Sequence, residues 1–231
     1  MAGATERADR ILDAAAELLV RHGYRKVTVE DVAARARIGK GTVYLHWRTK
    51  RQLFEALALR EAVVLAEELV AALRADPATL LPHRLLTTSY LVVMRRPVLR
   101  ALTTEDAPEL QPSGLDRELR SQELLVVERL FDLMAKRGLF RADVPNLRYA
   151  MTASTAGYFL LDRIDPTSAE LDVQEKADAL AYTVRHAFEP AEPPDRETLA
   201  AVADEAIAVM EELLPPYLAR IYTYDRKQRT P

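Results

Sequence analysis

The chain has 231 residues, 49% of them hydrophobic and 29% charged, with 7 glycines, no cysteine and a formal net charge of −3. That composition supports a sizeable core in one or two domains, and it excludes a disulfide framework, a thiolate metal site and a cysteine nucleophile. So few glycines weigh against turn-rich β architecture, and the dominant Ala, Leu, Glu and Arg favour helix.

Residues 1–60 hold 12 Lys+Arg against 7 Asp+Glu, a net of +5, and residues 61–231 hold 20 against 28, a net of −8. A basic head on an acidic body predicts that the head meets phosphate. No run of 18 apolar residues is present and the opening MAGATERADR has no apolar core. A cytoplasmic protein with no membrane partner is therefore expected.

In chain order, residues 6–22 form a first helix, with Ile11, Leu12, Ala15, Leu18 and Leu19 on one face and Gly23 as its stop. Thr28 begins a short second helix as its N-cap, and Asp31 stands where a full capping box has Glu or Gln. Ala36-Arg37-Ile38-Gly39 suits a tight helix–helix turn, and a second short helix runs from Lys40 to His46. Two short helices joined by a brief turn containing Gly predict a helix-turn-helix, whose second helix enters the major groove. Lys40 and Thr42 lie at its N-terminus, where backbone N–H groups favour phosphate. Gly41 permits close backbone approach, Tyr44 and His46 offer groups to phosphate oxygens, and Val43 and Trp47 face inwards.

Thr49-Lys50-Arg51-Gln52 is a capping box, so a long helix starts at Lys50 and runs to Arg74. It is long enough to serve as a lever between the head and the body. Asp76-Pro77 ends it. Helices are expected over 79–96, from Pro97 to Thr104, and over 115–137, with a loop at 105–114 and Gly138 as a cap. The helix at 146–163 is apolar almost all round, which predicts burial on all sides, one of them against a second subunit. Helices at 172–188 and 196–214 follow, separated by a Pro-rich break. Pro215-Pro216 stops the latter before a last amphipathic segment at 217–222.

Residues Ile11-Leu12-Ala14-Ala15, Leu18-Leu19, Gly23-Tyr24, Thr28-Val29, Ala33, Lys40-Gly41-Thr42-Val43-Tyr44, His46-Trp47, Lys50 and Leu53-Phe54 form an ordered set over residues 8–56. This stretch resembles the DNA-binding region of the tetracycline-repressor-type (TetR) transcriptional regulators. The resemblance implies an all-α fold. An N-terminal three-helix helix-turn-helix domain would occupy 1–52, and a larger helical ligand-binding and dimerisation domain 53–231. It also implies DNA-backbone contacts by Tyr44 and Lys50, and a four-helix dimer interface built from 146–163 and 172–188. The 196–224 segment is then a covering addition. Two positions depart from the family: Arg37 stands where Gly is common in the turn, and Gly39 where Ser or Thr precedes the Lys.

The expected function is a homodimeric repressor of double-stranded DNA, released from a palindromic operator by a small, largely apolar effector. The alternative is an activator or a regulator without ligand response. An enzyme is a distant third, because no G-x-S-x-G, Gly-rich phosphate loop, H-E-x-x-H or paired Glu-x-x-His occurs, and His83 and His186 are isolated. The candidate DNA-binding residues are Thr28, Arg37, Lys40, Gly41, Thr42, Tyr44, His46 and Lys50. The candidate ligand-binding residues are Thr88, Ser89, Tyr90, Gln122, Thr155 and Tyr158, a polar admixture in otherwise apolar helices. No cofactor, metal or catalytic residue is expected.

Overall fold

A computed structural model describes residues 2–104 and 117–222, with side chains over 5–103, 125–165, 167–168 and 170–222. Within these residues the chain is all-α, with eleven helices and no strand. The expected loop at 105–114 lies outside the described residues, as does the end of the chain beyond Tyr222.

The first helix, α1 (Ala2–Lys26), is broken at Gly23, whose φ of 73° and ψ of 158° only glycine adopts without strain. Helix α2 (Val29–Arg35) starts from Thr28 in a reciprocal capping box: Asp31 N–H donates to Thr28 Oγ1 at 3.1 Å, and Thr28 N–H to Asp31 Oδ2 at 2.8 Å. Asp therefore completes the box that sequence convention reserves for Glu or Gln. Its carboxyl is held below the usual range by the Thr28 hydroxyl and then by the Thr28 backbone N–H. Helix α3 (Lys40–His46) follows from Gly39, an N-cap without a side chain to cap it.

The turn between α2 and α3 is a Schellman motif. Arg37 N–H donates to Ala34 O at 3.1 Å and Ile38 N–H to Ala33 O at 3.0 Å, with Arg37 at φ 55°. The same motif ends α7 (Arg117–Lys136), with Gly138 at φ 74° in the left-handed position. One motif thus uses glycine and the other forces an arginine into a conformation that disfavours a Cβ.

Helix α4 (Lys50–Ala75) starts where its capping box predicts, with Gln52 N–H donating to Thr49 Oγ1 at 3.1 Å. The Gln52 side chain reaches one residue further back than a regular box, accepting from Arg48 N–H at 2.9 Å. A 3-10 turn, Pro77–Leu80, is capped by Asp76, and α5 (Pro82–Arg95) begins only at Pro82. The start expected at residue 79 fails because Pro82, which lacks an N–H, is placed at the first position of a new helix. Helices α6 (Pro97–Thr104), α8 (Leu147–Ile164), α9 (Val173–Phe188) and α10 (Arg196–Glu211) match their expected spans to within a few residues. At the last break, Pro215 and Pro216 open α11 (Leu214–Tyr222) rather than merely closing α10.

The described chain forms two compact units. The first takes the residues up to Val64, α6, the start of α7 and α11. Its buried residues include Ile11, Leu12, Leu19, Val32, Val43, Trp47, Phe54 and Leu57. Here α6 packs on α1. In α11, Tyr217 and Ile221 are buried, and Tyr222 Oη donates to Asp9 Oδ1 of α1 at 2.7 Å. Burial and then this bond to Asp9 push the Tyr222 hydroxyl up to about 12.

The second unit takes the rest of α4, α5, most of α7, and α8 to α10. One cluster joins Leu69, Val70 and Leu73 of α4 to Leu199, Val202, Ala203, Ala206, Ile207 and Met210 of α10. Helix α10 is therefore core, and the expectation that 196–224 is a covering addition is corrected: its small residues at helical spacing are what let it pack against α4. A second cluster surrounds Tyr90, Leu180, Val184 and Phe188. There Glu189, with a side chain only 1% exposed, accepts from the His83 backbone N–H at 2.5 Å, lies 2.9 Å from His83 Nδ1 and pairs with Arg185 at 3.2 Å. This locks the end of α9 to the start of α5. Helix α8 differs from expectation within the chain: none of its residues is fully buried.

Arg37 makes a testable point about the hairpin. Its left-handed conformation costs roughly 1 kcal/mol that glycine would not incur. Arg37→Gly is expected to raise stability in urea melts by up to about 0.5 kcal/mol, glycine's greater unfolded-state entropy taking back much of the gain. A fall in stability would show that the Arg37 side chain contributes more to the fold than its backbone costs.

Candidate functional site

The sequence-predicted DNA residues gather on α2, α3, the turn between them and the start of α4, all in the first unit. Helix α3 is oriented by burial. Val43 and Trp47 are 0% and 1% exposed, one turn apart, so the opposite side of α3 faces solvent.

Each candidate has a definite local setting. Thr28 is exposed, but its hydroxyl serves the α2 cap, donating to Asp31 Oδ2 at 2.6 Å. Arg37 is exposed at the turn. Lys40 pairs with Glu30 and sits over the Tyr44 ring, 5.5 Å from its centre. Gly41 is exposed, with nothing within 4 Å of where a Cβ would stand. Thr42 is half-buried and Tyr44 is 40% exposed. His46 is half-buried, its ring 5.4 Å from Trp47. Lys50 donates to the carbonyls of Tyr24 and, at 3.4 Å, Arg25, and lies 4.1 Å above the Tyr24 ring. That ammonium therefore ties the start of α4 to the end of α1, a packing role that sequence reading did not assign to it.

Electrostatically the surface is basic but braced. Arg35 pairs with Glu17 of α1, and Arg51 with Glu55 at 2.7 Å. The Arg35–Glu17 pair is largely exposed and worth little to stability, so Arg35 can be redirected to phosphate at small cost, whereas Arg51 pairs with the buried Glu55. One exposed residue escaped the sequence reading, which weighed only hydrogen-bonding side chains: Leu45, 58% exposed.

The candidate ligand residues belong to the second unit, except Gln122, whose side chain lies outside the described residues. Thr88 and Ser89 are half-buried on α5. Thr155 Oγ1 donates to Met151 O of its own helix at 2.8 Å. Tyr158 Oη donates to Ala179 O at 3.1 Å and lies 2.8 Å from Thr183 Oγ1, bridging α8 to α9. Tyr90 is fully buried, 5.2 Å from the Phe159 ring, and its hydroxyl has no hydrogen-bond partner among the described residues. Burial, then the charge of Asp162, pushes that hydroxyl above its ordinary range. So α5 and α8 bring Tyr90 and Phe159 together, while Thr155 and Tyr158 spend their hydroxyls on the helices. Among the described residues no group of three His, Asp or Glu is placed to hold a metal ion, and no helix is long and apolar enough to cross a membrane.

Comparison with known proteins matches residues 11–57 to the family described as "Bacterial regulatory proteins, tetR family". The chain is 44% identical over 48 residues to the "Uncharacterized HTH-type transcriptional regulator YvkB" of Bacillus subtilis, a match covering 21% of this chain and 25% of the relative. It is 30% identical over 88 residues to the "Probable acrEF/envCD operon repressor" of Escherichia coli K12, covering 37% and 40%. The matches thus span well under half the length of these curated relatives. Among solved structures, TylP, a tetR regulator from Streptomyces fradiae, shares the fold at 20% identity, with a TM-score of 0.53 over 91% of this chain and 99% of that one. The tetR-family match thus covers the hairpin region, residues 11–57, and the chain shares the helical fold of a solved tetR regulator.

Proposed function

We propose that the protein is a homodimeric repressor that grips a palindromic operator with two copies of α3 and lets go when a small, largely apolar ligand binds the second unit. The observation that carries the reading is the orientation of α3. Burial of Val43 and Trp47 turns Lys40, Gly41, Thr42 and Tyr44 towards solvent, on a head whose first 60 residues carry a net +5. A short helix so presented fits the major groove, and the cations around it fit phosphate. Repression, rather than activation, is supported by the name of the Escherichia coli relative.

The DNA reading is tested by gel shift against duplex flanking the protein's own gene, across a salt series. Lys40→Ala should weaken binding to all sequences and flatten the salt dependence by about one phosphate, with stability unchanged because only an exposed pair is lost. Lys50→Ala should also weaken all sequences, and should in addition lower stability, since it releases the Tyr24 and Arg25 carbonyls. Retention of wild-type binding by both variants would remove the proposed phosphate contacts.

Dimerisation is supported by what α8 and α9 leave uncovered. Tyr149, Ile164 and Tyr182 are 78%, 76% and 66% exposed, and Leu161 and Leu171 are also exposed. So many exposed large apolar side chains on two neighbouring helices are what an association site would cover. The alternative helix, α10, has already buried its apolar face in its own core. At Gly157 nothing lies within 4 Å of a Cβ position, so a side chain there disturbs only a partner. Gly157→Glu should sediment as a monomer with an unchanged helix content, and a dimer of wild-type strength would move the interface elsewhere.

The ligand reading is supported by Tyr90. A buried hydroxyl without a partner costs on the order of 1–3 kcal/mol, which a ligand acceptor can recover. Tyr90→Phe should therefore leave stability unchanged or slightly higher, while Tyr158→Phe, which breaks bonds to α9, should lower it by about 1 kcal/mol. A larger loss at Tyr90 than at Tyr158 in thermal melts would show that the Tyr90 hydroxyl is already satisfied.

A further inference from the structure

The face of α3 farthest from its own core is apolar. Counting from Val43 at 3.6 residues per turn, Leu45 lies about 200° round the helix and Gly41 about 160°. Together they form the strip opposite Val43 and Trp47, with Thr42 and Tyr44 at its edges. Leu45 is 58% exposed, more than the Tyr44 beside it at 40%. Beside it Gly41 adds no side chain, and the space where its Cβ would stand is open. An apolar side chain held outward next to a bare backbone is costly to leave in water and has nothing to offer a phosphate. It suits the one apolar group that base edges present in the major groove, the C5-methyl of thymine.

We infer that Leu45 is a specificity-determining residue that packs against a thymine methyl in each half-site, with Gly41 letting the helix sink close enough for the contact. The inference rests on the DNA-binding reading above and adds to it a base and the group that reads it. Tyr44 and Lys40 can position the helix on the backbone or hydrogen-bond to base edges, and the one other methyl on this face, that of Thr42, is half-buried at the strip's edge while Leu45 stands outward.

The experiment uses the full-length protein and duplexes recovered with it from a random-sequence library. Each thymine of the recovered consensus is replaced in turn by deoxyuridine, symmetrically in both half-sites, which removes the methyl and leaves every hydrogen bond intact. Wild type is expected to lose roughly fourfold in affinity per half-site at one symmetric thymine pair, the value of burying one methyl-sized group, and to be indifferent at the others. Leu45→Ala should show no loss at that pair and should no longer select thymine there, with its salt dependence unchanged. Leu45→Met, still apolar, should restore the preference. Leu45 is largely exposed and Ala is the better helix former, so the variant keeps its fold. Equal losses in wild type and Leu45→Ala at every position, or a consensus without a paired thymine, would overturn the inference while leaving DNA binding in place. Failure of the library to yield any enriched duplex would instead overturn the DNA-binding reading, and this inference with it.

Discussion

A seven-residue helix is about half the length at which an isolated helix begins to hold in water, so α3 owes its existence to the burial of Val43 and Trp47. That one constraint sets everything the head presents. The helix can rotate neither way without exposing an indole or a valine, which fixes the solvent side as Gly41 and Leu45 with Thr42 and Tyr44 at its borders. Gly39 makes only a weak N-cap, and α3 gains little from its own ends. Tertiary packing supplies what local propensity lacks, and the same packing fixes the solvent-facing surface of α3.

The second constraint is the join between α1 and α4. Lys50 is held against the last carbonyls of α1 and over the Tyr24 ring, and Arg60 reaches Asp13 of α1 at 2.8 Å. Ten residues of α4, roughly 15 Å of helix, are therefore pinned to α1 at both ends. Tyr24 meets Phe54 edge-on at 5.2 Å between the two pins. The phosphate role that family resemblance gives Lys50 and the structural role its geometry shows draw on the same ammonium.

Much of this was legible in the chain because it is written in local chemistry. Thr28 and Thr49 begin helices as their side chains predict, and Gly138 ends one; Asp76 and Asp172 prove to be caps as well. The helix-turn-helix emerges with α3 at the residues expected, and Arg37 has the positive φ that its place in the turn demanded. What was less legible depends on partners. The all-round apolarity of α8 reports that something covers it, but not whether that cover comes from the chain or from a second copy. Helix α10 looked like an addition because nothing in its own sequence names α4 as its partner. Leu45 was passed over for a different reason: a search for hydrogen-bonding side chains does not register an exposed apolar one. Hydroxyls such as those of Thr155 and Tyr158 carry the same ambiguity, since only coordinates tell a ligand contact from a bond to a neighbouring carbonyl.

For a ligand in the second unit to change what the head does, it must bind one arrangement of the chain better than another, and the difference must reach α1. The covalent routes between the units differ in stiffness. The crossing after Arg96 passes through an extended residue into Pro97, and the crossing after Leu213 leads into Pro215 and Pro216, so neither continues a helix. Helix α7 crosses unbroken at Gln122 and Glu123, and α4 at Val64 and Leu65. The later half of α4 buries Leu69, Val70 and Leu73 in the core shared with α10, and its earlier half is pinned to α1. Closely packed cores have few intermediate arrangements, so a repacking of that core is discrete rather than graded.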